Sequence, residues 1–100
     1  MKTLEVLLKG QLHYSLPDVI DQLQDGTSVV LKVEPDNKWQ ANAVMVQFIH
    51  DGNTYDLGHL SAQAAPGVAR LVGIYAYTAD IQIKHRGKFP IVIVRIHFEQ

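Results

Sequence analysis

The chain has 100 residues, 47% hydrophobic and 19% charged, with a formal net charge of −1. That is the balance of one ordinary globular domain, and it excludes disorder over most of the chain. There are no cysteines, which excludes disulfide frameworks, zinc ribbons, iron–sulfur clusters and thiol catalysis.

Residues 4–9 read as a short apolar strand ended by Gly10, with 12–14 continuing extended after a bend. Ser15-Leu16-Pro17-Asp18 is a helix start: a hydroxyl cap, a proline in the first turn, and an acid three residues past the cap. Val19, Ile20 and Leu23 follow at helical spacing, and Asp25-Gly26 stops the helix. Residues 27–34 alternate as a strand, with Val29, Leu31 and Val33 on one face. Pro35-Asp36-Asn37-Lys38 is a loop. Residues 42–50 form the next strand, with Val44, Val46 and Phe48 as the buried set. Asp51-Gly52 turns a hairpin, and 54–60 return as its second strand. Ser61 caps a short helix through Ala64 or Ala65; Pro66-Gly67 interrupts it, and Val68, Leu71 and Val72 continue a helical stripe to Gly73. Residues 75–84 alternate as a half-buried strand, and His85-Arg86-Gly87-Lys88 is a basic turn. Residues 89–98 are the last strand and the most β-branched run. The sum is a mainly β chain of about six strands and two short helices. No βαβ rhythm appears, so the sheet is expected to be antiparallel. A small closed barrel, plugged or capped by the helices, would remove its edges.

Charge is unevenly spread: net −3 over residues 1–36, −1 over 37–80 and +3 over 81–100. The basic end holds Lys84, Arg86, Lys88 and Arg95 against Glu99. It reads either as a contact surface for an anion or as a balance to the acidic half. The near-neutral total argues against strong nonspecific nucleic-acid binding. No apolar run approaches the ~20 residues of a membrane span, and the first ten residues do not read as a signal peptide; a cytoplasmic location is expected.

Enzyme signatures are missing. There is no Gly-rich loop followed by Lys-Ser/Thr and no G-x-S-x-G elbow. Ser15, Ser28 and Ser61 sit at helix caps and a strand start. His85 and His97, twelve apart, could meet across a hairpin, but two histidines alone make a poor metal site. Asp51 and Asp56 bracket a turn, and Asp18, Asp21 and Asp25 spread over a solvated helix face. No nucleophile or general base has an orienting partner. The expectation is a non-enzymatic protein without metal or cofactor. What stands out is loop aromatics: Trp39, the single tryptophan, between Lys38 and Gln40, and Tyr14 beside His13. Such rings suit stacking on bases or peptide recognition, or they cover the end of the barrel.

The stretch Val33-Glu34-Pro35-Asp36-Asn37-Lys38-Trp39-Gln40-Ala41-Asn42-Ala43-Val44, then Tyr55-Asp56-Leu57-Gly58-His59-Leu60 and an alanine-rich helix, resembles the HIRAN domain. The likeness reaches back to Gly10-Gln11-Leu12-His13-Tyr14 and covers residues 4–73; the last two strands follow by pattern. It makes residues 1–100 a single HIRAN-like domain and implies a six-stranded antiparallel OB-like or SH3-like β-barrel. It also implies binding of single-stranded DNA with capture of the 3′-hydroxyl end, in DNA repair or replication-fork processing, with a helicase or nuclease acting in trans. The pocket it implies falls on His13, Tyr14, Asn37, Trp39, Gln40 and His59. Tyr14 and Trp39 would stack on terminal bases, Asn37 and Gln40 would hydrogen-bond the last nucleotide, and His59 would reach a phosphate. Phe89 is a further candidate ring. The end-binding relatives carry an arginine where this chain has His13, an aspartate at Gln40 and a lysine at Ala62. Losing that Arg and Lys removes phosphate contacts; Lys38, Arg86 and Lys88 would compensate if they lie near the pocket. Asn42 and Gly58 read as structural, Asn42 through an amide that satisfies loop backbone groups. The alternative is a protein-interaction barrel without DNA binding, docking a partner through the same aromatics or an unpaired edge strand at 89–98.

Overall fold

The structure, a computed structural model, describes residues 2–99. Its elements are β1 (Lys2–Lys9), a 3₁₀ turn (Gln11–His13), α1 (Leu16–Val19) running into a second 3₁₀ turn (Ile20–Gln22), β2 (Val30–Glu34), β3 (Ala43–His50), β4 (Asn53–Leu60), α2 (Ala65–Val72), β5 (Tyr77–His85) and β6 (Ile91–Phe98). The six strands make one antiparallel sheet in the order β2-β3-β4-β1-β6-β5.

β1 joins the two halves of the sheet. It pairs with β6 from Lys2↔Phe98 to Leu7↔Ile93, then with β4 at Leu8↔Leu60 and Lys9↔His59. The core lies on the face presented by Leu8, Leu57, Ile81, Ile96 and Phe98, with Leu16 from α1 inserted against it. All four residues from Ala43 to Val46 are buried, because α2 covers the face of β3 that a simple alternation would leave in water. The β3–β4 hairpin turns on Asp51 and Gly52, both with positive φ, the primed geometry that matches strand twist. Leu57 is an extra residue in that ladder, between the pairs Val46↔Gly58 and Gln47↔Asp56, and the bulge drives its side chain into the core.

The strand ladder does not close into the expected barrel; β2 and β5 remain its edges. The segment before β2 crosses the gap: Val29 N–H donates to Ala79 C=O (3.0 Å) and Ile81 N–H to Thr27 C=O (3.1 Å). The Tyr77 hydroxyl accepts from Leu31 N–H at 3.0 Å and donates to its carbonyl at 3.3 Å. The edges are thereby covered rather than abolished.

Local expectations fail in six places. Leu12 and His13 are not extended; they belong to the 3₁₀ turn that reverses the chain after Gly10, and of residues 12–14 Tyr14, its C-cap, has extended backbone. Ser15 occupies the N-cap of α1 without a side-chain cap bond; its carbonyl accepts from Asp18 and Val19 instead. Ser61 likewise acts through its carbonyl, accepting from Ala64 and Ala65. Pro66 does not interrupt a helix but sits in the first turn of α2, where its missing N–H costs nothing. Finally, β6 lies between β1 and β5, so no edge strand exists at 89–98. His85 and His97 do not meet: His97 stands opposite Thr78 and His85 opposite Ile91, at the two ends of one ladder.

On the outer face of β1, β6 and β5, Asp80 accepts from Arg95 Nε at 2.7 Å and contacts His97 Nε2 at 3.1 Å; His97 Nδ1 meets Thr3 Oγ1 at 3.0 Å. Burial raises the Asp80 pKa, but the hydrogen bonds and charges of Arg95 and His97 outweigh it and hold the carboxyl below its ordinary value. No helix is long and apolar enough to cross a membrane.

Candidate functional site

The chain reverses sharply where β1 ends. Gly10 takes a left-handed backbone (φ 70°), His13 N–H returns to the Gly10 carbonyl at 3.0 Å, and Ser15 N–H reaches the Asp56 carbonyl at 2.8 Å. This turn lies directly on β4, and only a glycine at 58 allows it. A Cβ there would stand 2.7 Å from the Lys9 carbonyl oxygen, and φ is 149°. The structural reading of Gly58 holds.

The opposite wall is the loop between β2 and β3, built around Asn37. Its Oδ1 accepts from the backbone N–H of Trp39 (2.8 Å) and of Gln40 (2.9 Å), and its Nδ2 donates to Glu34 Oε1 at 3.2 Å. This is the local competition with backbone that suits asparagine to turns. The same Glu34 oxygen lies 2.7 Å from His59 Nε2. An ionised carboxylate only accepts, so His59 carries a hydrogen on Nε2. Glu34 thus ties the loop to β4. Asn42 ends the loop with φ 61°. The left-handed backbone, not an amide bond, accounts for asparagine there.

Between these walls is a cleft of about 360 Å³. His13, Tyr14, Asn37, Trp39, Gln40 and His59, residues from three parts of the chain, all line it. Trp39 is 86% exposed, with Lys38 Nζ 5.1 Å from its ring centroid. Tyr14, 38% exposed, meets His59 edge to face at 5.4 Å. Gln40 Nε2 donates to the Ala62 carbonyl at 2.9 Å, which orients the amide, since only the NH₂ group can donate to a carbonyl. Oε1 of Gln40 is then its free acceptor.

The remaining candidates divide. Phe89, 64% exposed, lines a second cleft of about 460 Å³. Gln11 Nε2 donates to the Pro90 carbonyl at 2.7 Å and docks the Phe89 loop beside the turn after β1. Lys88 Nζ stands 5.7 Å from the Phe89 ring centroid. Arg86 is not in either cleft. Its guanidinium donates to the Ile20 carbonyl (3.1 Å) and the Leu23 carbonyl (2.7 Å), closing the end of the α1 segment. Two residues escaped the sequence reading. Glu34 stands behind the cleft, holding His59 and Asn37. Lys9 lines both clefts. A strand-terminal lysine opposite a histidine carries no local signal of such a place.

No family model matches the chain, and no curated protein is similar to it in sequence. Among solved structures, it is similar to the HIRAN domain of human HLTF, with a TM-score of 0.71 at 17% identity, over 96% of this chain and 74% of that one. It is also similar to a protein from Lactobacillus plantarum, with a TM-score of 0.79 at 16% identity, over 99% of this chain and 98% of that one. The chain has a HIRAN-like fold.

Proposed function

We propose that the protein is a nucleic-acid-binding module without a catalytic step, which holds single-stranded DNA by its 3′-hydroxyl end. The observation that carries this reading is the convergence, in one open cleft, of two exposed rings with oriented hydrogen-bonding side chains. Every base has a π-face, so Trp39 and Tyr14 suit stacking without regard to sequence. Gln40 Oε1, its amide fixed by Ala62, is an acceptor for a terminal hydroxyl. His13 lines the cleft and Lys38 stands over the Trp39 ring, both suited to phosphates; Phe89 lines the adjoining cleft, with Lys88 over its ring. With Nε2–H held by Glu34, His59 donates to a phosphate through Nδ1 when the ring carries both hydrogens. On this reading the chain works beside DNA-repair or fork-processing enzymes, with a helicase or nuclease as the partner that acts on the captured end, and the HIRAN-like fold supports it. Fold alone does not carry a site across; the cleft does the supporting.

The alternative is a protein-docking module. The exposed Leu12, Phe89 and Ile91 favour it, whereas the covered edges of the sheet leave little for strand addition. Anisotropy titration of a labelled single strand against wild type and Trp39→Ala tests the first reading. The expected loss is about 1–3 kcal/mol of binding, with an unchanged melting temperature because the ring is exposed. Unaltered binding in a folded variant removes Trp39 from the site.

A further inference from the structure

The two clefts are adjacent and share three lining residues: Lys9, Gly10 and His13. Lys9 is the one of them with a fixed positive charge. It is exposed, it sits opposite His59 in the β1–β4 ladder, and among the described residues it forms no salt bridge. The first cleft offers two rings for bases. The second offers Phe89 between the exposed Leu12 and Ile91. A strand seated in both must carry its backbone over the ridge between them, and a backbone crossing there brings a phosphate to Lys9.

We propose that Lys9 is the phosphate contact at this ridge, and that the second cleft receives the strand 5′ of the nucleotides held in the first. This rests on the nucleic-acid reading above and deepens it. An unpaired lysine between two apolar clefts supplies charge at the point where a polyanion crosses, so a near-neutral protein can hold a strand without a broad basic face. The same second cleft, if it took a protein segment instead, would have no need of a cation at its inner rim.

The test is a salt series. Quenching of the single tryptophan, Trp39, reports occupation of the first cleft by either a dinucleotide or a hexanucleotide of DNA. Lys9→Gln should weaken dinucleotide binding less than hexanucleotide binding, because the longer strand alone crosses the ridge. With the hexanucleotide it should weaken binding at low salt and reduce the slope of log K against log salt by about 0.7, the value of one single-strand phosphate. Lys9→Arg should restore the slope. Lys9 is exposed, so neither substitution should shift the melting temperature. Wild type that binds the hexanucleotide with a slope unaffected by Lys9→Gln overturns the assignment of Lys9 alone. Equal wild-type affinity for both lengths overturns the second cleft as part of the path. No quenching of wild type by either length overturns the nucleic-acid reading itself, and this inference with it.

Discussion

Asn37, Glu34 and Gly58 each do one physical thing that makes the cleft exist. Asn37 replaces loop backbone partners with its own amide, which holds Trp39 out in solvent. Glu34 joins that loop to His59 on the neighbouring hairpin. Gly58 leaves room for the chain reversal after β1. The resemblance, carried in part by the Asn-x-Trp and Gly-His motifs, named six side chains that the structure brings to one cleft. Glu34 and Lys9 were not legible. The His59 partner of Glu34 lies 25 positions away in the chain, the partner proposed for Lys9 is a ligand, and periodicity reveals a face without revealing what it meets. The sharpest prediction at this scale is Gly58→Ala. A methyl group against the Lys9 carbonyl, on a backbone at φ 149°, should cost at least about 2 kcal/mol of stability in a urea melt. A variant as stable as wild type would show that the β1 reversal does not press on β4.

The strands were readable from alternation: all six begin or end within two residues of their expected bounds on at least one side, and five do so on both. What alternation could not supply was the second cover on β3, the Leu57 bulge, or which strands stand at the edges, since these depend on non-local pairing. The 3₁₀ turn at 11–13 was misread for a similar reason: the apolar Leu12 is exposed beside a cleft rather than alternating into a sheet. The edges make a testable element. Tyr77 reaches from β5 to both backbone groups of Leu31 on β2. Tyr77→Phe keeps the ring and removes those bonds, leaving a half-buried N–H and C=O unpaired. Chemical denaturation should show a loss of about 1 kcal/mol; no loss would mean water replaces the hydroxyl without cost.

At the scale of the whole molecule, the Asp80–Arg95–His97 cluster sits on the outer sheet face and the cleft stands at the far end of β1, so the stability that Asp80 contributes can be tested by pH. Asp80 has a depressed carboxyl pKa in the folded state. Its contribution is therefore present above the unfolded value, near pH 4, and is lost as pH falls through the lower native value. Asp80→Asn should lower stability at neutral pH and flatten the acid limb of the stability curve, with little effect at the lowest pH where wild type is protonated as well. An acid limb as steep as wild type's would place the proton uptake elsewhere. The central claim concerns the other end of the sheet: a cleft that grips a free strand end through rings and an oriented amide. The most direct measurement is fluorescence anisotropy at low salt with two labelled short single strands, one ending in a 3′-hydroxyl and one in a 3′-phosphate. Tighter binding of the hydroxyl strand, with the preference lost in Gln40→Ala, is the predicted result. Equal binding of the two contradicts end capture, and binding of neither contradicts the nucleic-acid function.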